Sequence, residues 1–345
     1  MKRKFFSAVL IGFLMVFVAA TAFAQQSAGD KVHKWKFQLQ WPASSTSYKP
    51  FKEFLEQKVK NLTGGRLQIS CFPGGAIVPT KEIFDSSRKG MIEGGVISPG
   101  FYASIIPLTN VSSNCPMTFR NPWEGLYFHF VLGFEDMLKA EHAKHGLLYY
   151  TEKMYPTALI CKKPVRKIEE FKGLKIRSFG ALAAFLKNLG AATSNIPGPE
   201  VYLALQTGVV DGAHYGAAGG ALTLKFCEVA KYYIQPDLVS ATAEGIVVNK
   251  AAFDTLPKDV QITFDLALKE RAWHRSHEYI MDEVDALETM KRAFKVQVTT
   301  IPPEDQKKMA KVAMKQWDEA ASKDAVSAKA VGMLKDFMRK LGHID

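Results

Sequence analysis

The sequence predicts an α/β fold organised in two lobes, and three observations carry that prediction. Strand and helix patterns alternate from residue 33 to about residue 98, they alternate again between about residues 147 and 208, and a late helical pattern is too long to belong to one lobe. The chain has 345 residues, 47% of them apolar, which is enough to bury one large core or two smaller ones.

Before the first element stands an export signal. Lys2, Arg3 and Lys4 are followed by an uncharged run from Phe5 to Ala20 and then by Ala22-Phe23-Ala24, which puts small residues where signal peptidase needs them. Residues 1–24 are therefore expected to be a signal peptide, cut before Gln25. The apolar run is shorter than the roughly twenty residues that span a bilayer, and no later run is longer, so the mature chain is expected not to span the membrane. Removing the three basic residues from 45 Lys+Arg, against 34 Asp+Glu, leaves a mature charge of +8. The basic residues are scattered and form no block, which argues against nucleic acid and for a modest attraction of anions.

Each element then follows from its own pattern. From His33 to Trp41, Trp35, Phe37, Leu39 and Trp41 alternate with polar residues, the signature of a strand. Pro50 opens a helix whose Phe51, Phe54, Leu55, Val59 and Leu62 share a face, Gly64-Gly65 closes it, and Leu67, Ile69 and Cys71 alternate again, completing a βαβ unit. Thr80 is placed to cap a helix running to Arg88, and Met91 to Ser98 reads as a buried strand, so a parallel sheet is expected. Leu147–Tyr150 and Ala158–Lys162 read as two strands, Leu174–Arg177 as a third, and Ala181–Leu189 and Glu200–Thr207 as helices ended by glycine. Lys258 to Phe294 is one helical pattern of 37 residues, about 55 Å at 1.5 Å per residue, which is expected to lie across both lobes. Pro302-Pro303-Glu304 starts a last amphipathic helix.

Chemistry-bearing patterns are few. No GxSxG, GxGxxG, P-loop or HExxH motif occurs, so an enzyme is not expected. Cys71, Cys115, Cys161 and Cys227 are too widely spaced for a zinc or redox motif, and their pairing stays open. The pairs His142/His145 and His274/His277 have helical spacing but no third ligand nearby, and read as solvated helix faces; no metal or cofactor is expected. Arg177, at the end of a short strand, stands where ligands gather in open α/β sheets, and its planar fork suits a carboxylate, although spacing alone favours a surface salt bridge.

The run Phe171-Lys-Gly-Leu-Lys-Ile-Arg177, the run Glu200-Val-Tyr-Leu-Ala-Leu-Gln-Thr-Gly-Val-Val-Asp-Gly212, Val229-Ala-Lys-Tyr-Tyr233 and Val248-Asn-Lys250 together resemble the solute receptors of TRAP (tripartite ATP-independent periplasmic) transporters, the DctP family. Gly64-Gly65-Arg66, Pro73-Gly-Gly-Ala76 and Ile83-Phe-Asp85 resemble the family's first lobe, and the keto-acid branch resembles this chain most in the Pro197–Glu200 stretch. The resemblance implies a periplasmic binding-protein fold with hinged lobes, taken as 25–155 with 244–285 (lobe I) and 156–243 with 286–345 (lobe II). It also implies a periplasmic receptor that delivers a small organic acid, a monocarboxylate bearing a keto or hydroxyl group or an aromatic body, to membrane permease subunits. An ABC-type binding protein or a secreted enzyme on the same lobes are the alternatives.

In the family, the Arg of Lys-Ile-Arg holds the ligand carboxylate, a role that passes to Arg177. His214-Tyr215 stands where relatives carry Glu-Asn or Glu-Trp, which puts metal-bridged binding in doubt and offers a neutral or cationic donor in its place. Thr157 stands where the sialic-acid branch has a second Arg, which argues against sialic acid. By position alone, Trp41, Phe101 and Tyr102 are first-lobe candidates for stacking on the ligand.

Overall fold

The computed structural model describes residues 31–113 and 115–344; the signal peptide read at residues 1–24 lies outside the described residues. One mixed sheet of nine strands organises the chain: β1 (His33–Leu39), β2 (Leu67–Phe72), β3 (Gly94–Ile97), β4 (Leu147–Cys161), β5 (Lys175–Arg177), β6 (Ala192–Ser194), β7 (Gly212–His214), β8 (Tyr232–Asn249) and β9 (Gln297–Thr300). Their order is β2-β1-β3-β8-β4-β7-β5-β6, with β9 beside β8.

The βαβ unit forms as expected. β1 and β2 are parallel, joined by a helical stretch over 48–62, here α1, whose middle part Phe54–Val59 is wound as π-helix. Thr80 does not cap with its side chain; a single 3₁₀ turn, Thr80–Glu82, leads into α2 (Ile83–Arg88). The expected parallel sheet holds at both ends, where β1 pairs β3 and where β5 pairs β6 and β7, but its middle is antiparallel. There β8 runs against β3 and β4, and β4 runs against β7.

The two strands read at 147–150 and 158–162 are one strand, β4. Its register against β8 slips between Thr151 and Lys153, between Tyr155 and Thr157, and between Thr157 and Leu159. Such bulges break the alternation that sequence reading relies on, and they bend the strands. β4 and β8 thus run continuously from one end of the sheet to the other: Leu147–Thr151 and Gly245–Val248 sit near β3, while Leu159–Cys161 and Tyr232–Ile234 sit near β7 and β9.

Separate apolar cores cover the two ends. Trp35, Phe37, Phe51, Leu55, Val248 and Phe264 belong to one, and Ile160, Val201, Leu205, Phe226, Ala286 and Met290 to another. Helices α3 (Phe134–Ala143), α4 (Gly180–Asn188), α5 (Val201–Thr207) and α6 (Ala218–Thr223) flank the sheet. Helix α7 spans Lys258–Phe294, the 37 residues read from sequence, with Phe264 and Leu268 in the first core and Ala286 and Met290 in the second. It therefore ties the two ends together. Beyond it, α8 (Pro303–Ala321) is the expected amphipathic helix, and α9 (Ala325–Lys340) is a further one that sequence reading did not separate. Trp317 of α8 is buried and donates through Nε1 to the Pro116 carbonyl at 3.0 Å, so the C-terminal helices also bind the middle of the chain.

All four cysteines are buried free thiols. His142 is not on a solvated face: it is buried and shares hydrogen bonds with the Tyr102 hydroxyl (3.0 Å) and the Leu138 carbonyl (2.7 Å). Burial pulls its pKa down to about 4. Among the described residues, no helix is long and apolar enough to cross a membrane.

Candidate functional site

A cavity opens where the ends of β1, β3, β5 and β7 face the middle of β4 and β8. Its enclosed volume is about 50 Å³, and the space reaches about 630 Å³ only when the open mouth is counted. Arg177, His214, Tyr215, Trp41 and Phe101 all line it.

Arg177 is the last residue of β5, opposite Ala213 of β7 and Ser194 of β6. Only 2% of it is exposed, yet no described carboxylate pairs with it. Nε donates to the Ile196 carbonyl at 2.8 Å and Nη1 to the His214 carbonyl at 2.5 Å, which fixes the plane of the guanidinium. Aromatic rings flank it, with Phe179 5.0 Å and Tyr215 5.3 Å from the guanidinium carbon. Burial pulls its pKa down to about 10, against the opposing pull of Tyr215 and Tyr155, so it stays charged at neutral pH. A cation desolvated this far without a counterion is an anion-binding group in waiting.

Local sequence explains the approach of these parts. A side chain at Gly212 would meet the Cys161 sulfur at 2.5 Å, so only glycine lets β7 close on β4. A side chain at Gly198 would meet the Tyr215 ring at 2.7 Å, so the Pro197-Gly198-Pro199 turn is bare where Tyr215 leans on it.

His214 is buried; Nδ1 shares a hydrogen bond with Ser178 Oγ at 3.0 Å, and its ring stacks on Phe179 at 5.4 Å. Burial, and then the charge of Arg177, hold its pKa well below the usual range, so it stands as a neutral imidazole and not as a cation. Its main-chain carbonyl, which orients Arg177, is a role that sequence reading did not assign. Phe101 stacks on Phe179 at 4.4 Å, which brings the loop after β3 against the loop after β5. Two candidates lie elsewhere. Tyr102 does not line the cavity but stacks on Phe84 at 4.2 Å in the core, and Thr157 is buried on β4 opposite Val239, also outside the lining.

The opposite wall was missed in the sequence. Lys153, 1% exposed, lines the cavity with its Nζ 4.3 Å from the Trp41 ring centre, and donates to Glu152 Oε2 at 2.7 Å. Glu152 in turn accepts from Arg271 Nε (3.1 Å) and Nη2 (2.8 Å). Glu244 of β8 accepts from the Tyr155 hydroxyl at 3.1 Å, and burial raises its pKa to about 7. A signal existed: Glu152-Lys153 and Glu244 interrupt otherwise apolar strand patterns, and charges there need a reason. Glu244 is the one carboxylate among the described lining residues, and with the Lys153 ammonium and the Arg177 guanidinium in the same lining the donor set does not fit a resident metal cation.

Comparison with known proteins gives a consistent picture. The profile of bacterial extracellular solute-binding protein family 7 (DctP) matches residues 37–324. The chain is 24% identical over 315 residues, 89% of this chain and 85% of the relative, to the monocarboxylate 2-oxoacid-binding periplasmic protein of Nostoc sp.. In fold it is similar to a TRAP transporter solute-binding protein from Bordetella bronchiseptica with copurified calcium and picolinate (TM-score 0.84, 22% identity, 90% of this chain and 93% of the other). A TRAP periplasmic solute-binding protein from Pseudoalteromonas atlantica with bound sodium and pyruvate is alike to the same degree (TM-score 0.83, 23% identity, 90% and 95% covered). These likenesses establish the two-lobed α/β architecture.

Proposed function

Because this chain belongs to family 7 of the bacterial extracellular solute-binding proteins, we propose that it is the periplasmic receptor of a TRAP transporter and captures a small monocarboxylate on Arg177. The observation that carries the reading is the buried guanidinium without a carboxylate partner, held flat by two carbonyls inside a cavity. A ligand carboxylate supplies the missing counterion and accepts from the guanidinium, a charge-assisted bond about twice as strong as a neutral one.

Trp41, Phe101, Phe179 and Tyr215 give the ligand body aromatic walls. His214, being neutral, and Tyr215 offer hydrogen bonds without adding charge. The lobes divide as 25–155 with 244–285 and 156–243 with 286–345, so that the hinge runs through the bulged middles of β4 and β8 and through α7. Closing them around the acid buries the ion pair, and the closed form is what the membrane permease subunits recognise. The protein acts by capture and release, with no catalytic step. Although solved proteins of similar fold carry calcium and picolinate or sodium and pyruvate, binding here runs through Arg177.

Mass spectrometry of small molecules released from the purified protein should identify a carboxylic acid. Calorimetric titration of that acid into Arg177→Ala should show a loss of about 2–5 kcal/mol, the cost of removing one partner of a buried charge pair. Unchanged affinity removes Arg177 from the site and the reading with it.

A further inference from the structure

Opposite Arg177, the cavity wall holds a second unsatisfied group. Glu244 is 1% exposed, lines the same cavity, and has one oxygen, Oε2, held by the Tyr155 hydroxyl. No described protein group is in hydrogen-bond geometry with the other oxygen, Oε1. The charged neighbour best placed to do so, Lys153, donates instead to Glu152 and lies over the Trp41 ring. Gln40, whose amide lies close enough to favour the charged carboxylate, is not in hydrogen-bond geometry with Oε1; its own Oε1 accepts from the Ser98 main-chain N–H at 2.8 Å.

We propose that Glu244 reads a neutral hydrogen-bond donor on the ligand, so that the preferred solute is a carboxylic acid carrying a free hydroxyl or amide N–H. This rests on the reading of the Arg177 cavity as a carboxylate site, and it adds a second anchor that chooses among carboxylates. A buried acceptor left without a donor costs about 1–3 kcal/mol, more if charged, and a ligand O–H or N–H at Oε1 removes that cost. A ligand whose only group there is a carbonyl or ether oxygen sets lone pair against lone pair. Sites built to pair a substrate hydroxyl or N–H discriminate strongly against analogues that lack it, because the buried partner is then stranded.

A ligand ammonium fits less well than a neutral donor. Lys153 and Arg177 already place two cations in the lining, where Glu244 is the one described acid, and Glu152 behind it is shared by Lys153 and Arg271. The groups acting on Glu244 are Lys153 and Glu152 from β4, Tyr155 from the same strand, and Gln40 after β1. With its pKa raised to about 7 by burial, Glu244 is an acceptor at pH 8 and increasingly a donor below pH 7. The donor preference is therefore to be measured at pH 8.

The test is calorimetry at pH 8 on the purified receptor with matched acids: glycolate and methoxyacetate, lactate and 2-methoxypropionate, mandelate and O-methylmandelate, pyroglutamate and N-methylpyroglutamate, with pyruvate and benzoate as acids lacking a donor. At least one free-donor acid should bind tenfold or more tightly than its capped partner, and Glu244→Met should shrink that ratio at least threefold. The bulk of the methyl cap lowers affinity equally in both proteins, so only the change of ratio counts. If Glu244→Met fails to fold, the wild type is read at pH 8 against pH 5.5, where protonation of Glu244 should also shrink the ratio. Equal binding of free and capped acids, binding of pyruvate or benzoate alone, or a ratio untouched by the variant overturns the role of Glu244 and leaves the carboxylate site standing. Binding of none of the ten acids overturns the carboxylate reading itself, and this inference falls with it.

Discussion

Two buried arginines, Arg177 lining the cavity and Arg271 outside its lining, make the comparison from which the function follows. Arg177 and Arg271 are both nearly inaccessible, at 2% and 8%, and both lie against aromatic rings, Arg177 between Phe179 and Tyr215 and Arg271 4.8 Å from Phe51 and from Phe54. Arg271 has a counterion in Glu152, which it shares with Lys153; Arg177 has two main-chain carbonyls and no described acid. A buried cation that the fold neutralises belongs to the scaffold. One that the fold leaves charged and exposes only to a cavity holds a place for something that arrives later.

That contrast breaks first at Arg271. Arg271→Ala strands part of the Glu152 charge inside the fold, since among the described residues Lys153 is then its one cationic hydrogen-bond partner. Chemical denaturation should show a loss of about 3–5 kcal/mol, the usual result of removing one member of a buried pair. A loss near zero would mean that Glu152 needs only Lys153, and that Arg271 is as dispensable to the scaffold as Arg177 is held to be.

How far the sequence could be read follows the same division. α7 from Lys258 to Phe294 was legible from a 37-residue run of helix formers without proline or glycine, even though Arg271, Arg275 and Glu283 sit on its buried face, and the β1–α1–β2 unit from its alternating strands and the apolar face of its helix. β4 and β8 were not, because bulges shift the period and because Glu152, Lys153 and Glu244 put charge where a strand pattern calls for apolar residues. Arg177 was found through the Lys-Ile-Arg motif at a strand end. Its partners across the cavity were missed because they lie on a strand that pairs with others far away in sequence, and no local motif marks them. Tyr102 and Phe101 are neighbours in sequence, yet only Phe101 reaches the cavity; the turn Pro99–Tyr102 sends the Tyr102 ring back onto Phe84.

Glu283 sharpens the comparison with the opposite sign of charge. This acid of α7 accepts from the Gly219 main-chain N–H at 2.9 Å, near the start of α6, and no described protein group is in hydrogen-bond geometry with its other oxygen. Burial raises its pKa to about 7, helped by the charge of Asp237 and opposed by Gly219, Tyr279 and Ala218. The folded state therefore holds this proton more tightly than the unfolded chain does. The resulting stability is fully present below about pH 4.5 and is lost as pH rises to about 7. Glu283→Gln keeps the amide acceptor and removes the charge, so it should stabilise the protein at pH 8 by up to roughly 3 kcal/mol, with the gain shrinking toward pH 5. Thermal melts at the two pH values measure it. A gain that does not depend on pH would show that packing, and not the buried charge, is what changed.

The smallest effect is the most telling, because it separates the two arginines without any ligand. Arg177→Met removes a desolvated charge that no described group of the unliganded protein neutralises, and puts a shorter, flexible apolar chain between Phe179 and Tyr215. Against that gain stands the loss of two hydrogen bonds, which leaves the Ile196 and His214 carbonyls to water or to the ligand space. Replacing buried charges with apolar residues often stabilises by about 1–4 kcal/mol, and each lost hydrogen bond takes back about 1, so the ligand-stripped variant should melt at the wild-type temperature or a few degrees above it. A variant that is clearly destabilised, as Arg271→Ala is expected to be, would make Arg177 a strut of the β5–β7 corner and dissolve the distinction between the two cations. A variant as stable as the wild type that no longer binds the acid would show that the fold carries an uncompensated charge at this position for its ligand and not for itself.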